Sequence, residues 1–147
     1  MNRPWAALGL VLALCVLMPR DASAQGSTAS SKPTMKQNYP NPFNPETTTE
    51  FFVGGYPTCA EPGRAYQVTV KILNSFTQLV AYPVLLGSSG GVSGGTPLNR
   101  VSLPCGAYKA FWNGKVASNG REAASGVYFI LVDQNGVSAS IRAIVAK

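Results

Sequence analysis

Apolar and polar residues alternate in short runs along most of the chain, and no stretch sustains a helical period. Thr47–Val53 is β-branched and aromatic, and Tyr66–Leu73 sets Tyr66, Val68, Val70 and Ile72 on one face. A third run, Leu79–Leu86, is interrupted by Pro83, which predicts an edge or a bulge. Gly87–Pro97 reads as a flexible loop by composition. Leu98–Leu103 and Tyr108–Trp112 are two further strands. Val127–Asp133 and Val137–Val145 flank Asn135-Gly136, a strong two-residue hairpin signal. About seven short strands with turn punctuation predict an all-β, antiparallel sandwich. Trp112 and Tyr128 are expected in its core, and Gly114, Gly126 and Gly136 at turns or strand entries.

One strand departs from simple alternation. In Val127–Val132 both faces are apolar, with Val127, Phe129 and Leu131 on one and Tyr128, Ile130 and Val132 on the other. A strand of a two-layer sandwich normally keeps one wet face. The second face is either a modest apolar patch or a covered one. The cover would be the Tyr39–Phe43 segment, a second molecule or another domain.

The strands are preceded by two different kinds of chain. Residues 1–24 read as a secretory signal peptide. Arg3 supplies the positive end, Trp5–Met18 the apolar run, and Ala22-Ser23-Ala24 a cleavage site that places the mature start at Gln25. Once the leader is removed, no stable membrane span is expected. Cys15 has Leu14 before it rather than the small residue of a lipobox, so it leaves with the leader. Residues 25–36 are small and polar and read as a flexible linker. Tyr39-Pro40-Asn41-Pro42-Phe43-Asn44-Pro45 then packs its prolines so closely that it is stiff, neither helix nor central strand. Tyr39 and Phe43 are the large groups such a segment could press onto a domain end.

Charge and cysteine content narrow the chemistry. The net charge of +6 is spread over single Lys and Arg residues with no run and no basic helix, which argues against nucleic acid. The chain has no histidine, which removes the commonest general base and metal ligand. Glu46, Glu50, Glu61, Glu122 and Asp133 form no calcium-loop pattern, and Ser75, Ser102 and Ser125 have no activating partner in sequence. No catalytic, metal or cofactor residues are assigned, and the chain is expected not to be an enzyme. Phe52 and Tyr56 are candidates either for stacking on carbohydrate or for core and interface packing. Beyond the leader, Cys59 and Cys105 remain; an exported chain with an even count is expected to pair them, the alternative being two buried thiols.

The stretch QNYPNPFNPETTTEFFV resembles the opening of the immunoglobulin-like C-terminal domains that serve as type A sorting signals of the type IX secretion system. That domain family is itself similar to the immunoglobulin-like part of the flagellar hook-capping protein. The likeness continues through VTVKILNSFTQLVA and LPCGAYKAFWNGKVASNGREAASGVYFILV to a last strand ending IRAIVAK, and so spans residues 37–147. Thr49, Leu73, Asn74, Thr77 and Leu131 depart from the family pattern, Gly87–Pro97 looks like an insertion, and the cysteine pair is not a general family feature. Such domains usually follow a large cargo, whereas here only Gln25–Lys36 separates leader from domain.

The resemblance implies an immunoglobulin-like fold and a recognition module read by secretion machinery or an envelope protein. The surface read would include Arg142, Ala143, Ile144, Val145, Ala146 and Lys147, by addition of a partner strand to an exposed edge. The expected location is the cell surface or medium, with the periplasm as the alternative. The other reading is a structural or adhesive assembly module of the envelope, of hook-cap type.

Overall fold

The computed structural model describes residues 31–147. The leader, the Ala24–Gln25 cleavage position and the first part of the 25–36 segment lie outside the described residues. The described chain is all β, in nine strands: β1 (Thr34–Met35), β2 (Thr47–Val53), β3 (Ala65–Asn74), β4 (Leu79–Ala81), β5 (Val84–Leu85), β6 (Val101–Pro104), β7 (Gly106–Trp112), β8 (Gly126–Gln134) and β9 (Val137–Val145).

They form two antiparallel sheets. One has the order β1-β2-β7-β5; the other has the order β4-β3-β8-β9, with β6 also paired to β3. Read as strands A to G, these are the A-B-E-D and C′-C-F-G sheets of an immunoglobulin-like sandwich. Tyr128, near the start of the F-equivalent strand β8, donates its hydroxyl back to the Ala124 carbonyl at 3.0 Å, as a tyrosine corner does.

Period-two patterning places the core. Phe51 and Val53 of β2, Tyr66, Val68, Val70 and Ile72 of β3, Tyr108 and Trp112 of β7, and Ile130 and Val132 of β8 are buried between the sheets. Both turn residues of the β8–β9 hairpin have positive φ, 49° at Asn135 and 85° at Gly136, as a type I′ turn requires.

Four stretches differ from the sequence reading. Leu79–Leu86 is two strands in different sheets, because Pro83 supplies no N–H to continue a ladder and the chain crosses over there. Gly87–Pro97 folds back on β5: Leu85 donates to Thr96 O at 2.9 Å and Gly95 to Leu85 O at 2.8 Å. The strand expected from Leu98 starts only at Val101, because Arg100 turns the chain with φ 56° and Leu98 drops into the core. The extra strand β1 lies in the segment whose composition suggested a linker; Met35 packs on the core and pairs opposite Phe51.

Cys59 and Cys105 form a disulfide across 5.7 Å between Cα atoms, tying the β2–β3 connection to the start of β7. Reduction should lower the unfolding free energy by about 4 kcal/mol in the chain-entropy description, read from urea melts with and without reductant. Tyr108 stacks on Phe51 at 5.7 Å and donates to Pro104 O at 2.8 Å, and burial raises its phenol above the ordinary 10.0. Its folded pKa exceeds its unfolded one, so its contribution is complete below pH 10.0 and is lost as pH rises through the shifted value. Thermal midpoints should fall in that window, and less so in Tyr108→Phe.

Candidate functional site

The last strand is the edge of its sheet, and an edge presents a row of unpaired backbone groups. Pairing of Gln134 with Val137 across the tight turn directs odd-numbered residues of β9 at β8. The even-numbered ones face outward, and the 37–43 segment meets them. Gln37 Nε2 donates to Arg142 O at 2.8 Å, and Asn41 Oδ1 accepts from Ile144 N at 2.9 Å. Phe43 N donates to Ile144 O at 2.9 Å, and Phe43 O accepts from Ala146 N at 3.1 Å. Phe43 thereby pairs with Val145 in parallel orientation, as an isolated bridge.

The Phe43 side chain is the anchor. Only 2% exposed, it meets Trp112 edge-on at 5.5 Å between ring centroids, and Trp112 in turn packs on Tyr128 at 5.6 Å. The turn after Trp112 is shaped to this segment: Gly114 has φ +73°, and a Cβ there would collide with the Pro45 carbonyl. On the other side Asn38, 2% exposed, donates to Thr47 Oγ1 at 2.8 Å and Pro40 O at 3.1 Å. Thr47 Oγ1 also donates to Pro40 O at 2.9 Å. Tyr39 holds its place through backbone alone, bonding Thr48 in both directions, while its ring is 82% exposed; it does not press onto the domain as Phe43 does.

Upstream, the same chain runs antiparallel to β2 and alongside β9. Buried Gln134 accepts from Gly54 N at 2.8 Å and donates to Ser31 O, tying the strand to the chain at the disulfide end. Lys36 N donates to Glu50 O at 2.8 Å, and buried Thr49 donates its hydroxyl to Lys36 O at 2.8 Å. Residues 31–43 therefore form a strap along the seam between the sheets.

The structure brings together the Tyr39–Pro45 motif and Arg142–Lys147, two groups the sequence placed at opposite ends. Within the latter, Ala143 and Val145 are core, while Arg142, Ala146 and Lys147 are exposed. Strand addition at Ile144 and Ala146 meets backbone that the strap already takes: Ile144 N and O and Ala146 N are all bonded to it. Lys147 pairs with Glu122 at 3.1 Å. Phe52 stacks on Tyr56 at 5.7 Å with Lys36 over its ring at 5.3 Å, so Phe52 is engaged in packing, while Tyr56 stays 43% exposed.

Sequence reasoning missed Asn38, Thr47 and Gln134 as strap holders. The available signal was a polar residue at an inward position of an alternating strand, which Thr47, Thr49 and Gln134 all show. Among the described residues no group of three or more His, Cys, Asp or Glu side chains could hold a metal ion, and no helix is long and apolar enough to cross a membrane. Comparison with protein-family models, curated proteins and solved structures returned no match.

Phe43→Ala should destabilise the fold by about 3–5 kcal/mol, the range for large buried aromatics. Gly114→Ala should also destabilise, through positive φ and the Pro45 collision. Denaturant midpoints for the two variants check both, and an unchanged midpoint for either contradicts the strap packing.

Proposed function

We propose that this chain is an exported, non-catalytic recognition domain that is directed across the outer membrane to the cell surface in the manner of type IX sorting domains. The observation that supports the reading is the docking of the Tyr39–Pro45 motif on Ile144 and Ala146, which makes motif and last strand one rigid unit. Secretion machinery would read that unit through projecting side chains such as Arg142 and Lys147 rather than through a strand added to this edge. The Cys59–Cys105 disulfide fits an oxidising compartment outside the cytoplasm. A structural assembly module of the envelope is the second reading, favoured by the apolar outer face of β8.

Fractionation of the native host and protease shaving of intact cells should find the mature chain, starting at Gln25, on the surface or in the medium. Removing Ala143–Lys147 would also take Ala143 and Val145 out of the core. The sharper variant is Ala146→Glu with Lys147→Gln, both exposed, which gives up only the exposed Lys147–Glu122 pair. It should keep its thermal midpoint within about 2 °C, as surface changes do, and accumulate in the periplasm. Periplasmic retention of the unsubstituted chain overturns the sorting reading.

A further inference from the structure

The inner face of β8 is spent on the core, but its outer face is not. Val127 is 41% exposed and Phe129 and Leu131 are half-buried, in a line along the strand. Register extends the line sideways: Phe129 lies opposite Leu73 of β3, which lies opposite Leu79 of β4, itself 50% exposed. None of the described chain covers this strip, because the Tyr39–Pro45 segment is committed to the seam.

Two cations flank it. Lys71 lies opposite Leu131 on one side, and Arg142 lies opposite Phe129 on the other. Neither has an ion pair among the described residues. The acids that do pair are engaged elsewhere: Glu50 with Lys36, Glu61 with Arg64 and Glu122 with Lys147. Asp133, farther along the same face, spends its oxygens on Gly136 N at 3.1 Å and Ser138 Oγ at 2.9 Å.

From this geometry we infer that the outer face of β8 docks a partner polypeptide that lays apolar side chains along Val127, Phe129 and Leu131 and carboxylates against Lys71 and Arg142. Complementary charge at the rim of an apolar contact sets partner choice and speeds encounter. A second copy of the chain fits poorly. Two-fold pairing through this face would set the cations of one copy against those of the other, on chains that each stay net positive once residues 1–24 are removed. The inference rests on reading the chain as a recognition domain and names the chemistry of what it recognises.

The test places a photo-crosslinking benzophenone residue at position 129 of the full chain in its native host. The expected product is an adduct to another protein, with the crosslinked peptide carrying Asp or Glu beside apolar residues. Its yield should fall about tenfold in Lys71→Glu with Arg142→Glu and stay unchanged in Gln67→Glu, an exposed position away from the strip. Should the double variant not fold, the salt dependence of the unsubstituted chain's adduct in isolated envelopes decides, since screening must reduce it. An adduct to a second copy, to lipid alone, or insensitive to both charge reversal and salt overturns the inference, as does no adduct. An adduct formed by chain that stays in the periplasm overturns the sorting reading and leaves this surface standing; surface delivery without an adduct does the reverse.

Discussion

The seam between the two sheets is closed by a strap held through one buried ring. Phe43 sits between Trp112 and the last strand, and its own N–H and C=O bond Ile144 O and Ala146 N at the end of β9. An edge strand left open would present unpaired backbone to any passing chain. Here the protein's own entry segment takes that place at Ile144 and Ala146, so the same contact fills the core and covers that end of the edge. The stiffness of the proline-spaced motif matters for this, since a segment with little freedom in the unfolded chain loses little on docking.

The strap and the disulfide act at opposite ends of the sandwich. Thr47 pairs with Trp112 at the strap end of β2, while Val53 pairs with Gly106 beside Cys105 at the other. At that second end Gln134 reaches both Gly54 and Ser31, so the strap begins there before crossing to Phe43. The unusual polar residues of the inner faces follow from this route. Thr47, Thr49 and Gln134 are each buried, and each spends its polar atoms on the strap or on the backbone beside it. A buried polar group that finds partners costs little, and one that loses them costs much. Thr49 is thus matched to the Lys36 carbonyl.

The layering was legible from sequence because period-two burial depends on local pattern alone. Tyr66, Val68, Val70 and Ile72 face the core as their spacing requires, and Asn135-Gly136 makes the turn its residue types favour. The disulfide was legible from the even cysteine count beyond residue 24 and the export that the leader pattern led one to expect. What the pattern hid is long-range: that Pro83 moves the chain from one sheet to the other, that residues 34 and 35 pair with β2, and that the motif near residue 40 meets the strand ending at 145. Each depends on partners about 15 to 100 positions away, which no local window contains. Tyr39 and Phe43 make the point within one motif. Both are aromatic and four residues apart, yet one is 82% exposed and the other 2%, because only Phe43 meets the gap beside Trp112.

Closing the edge shifts where the molecule can be read. With the outward groups of Ile144 and Ala146 occupied, backbone recognition at that end of the last strand would require the strap to leave, and with it Phe43 from the core. That release would sacrifice far more than an added strand returns, since a net backbone hydrogen bond is worth only about 1 kcal/mol. Contact through side chains carries no such penalty. Arg142 stands where two surfaces meet: its carbonyl is held by the strap and its position lies opposite Phe129 on the outer face of β8. A partner engaging that side chain would touch the last strand without opening it, so the strapped edge and the apolar strip would form adjoining parts of one recognition surface.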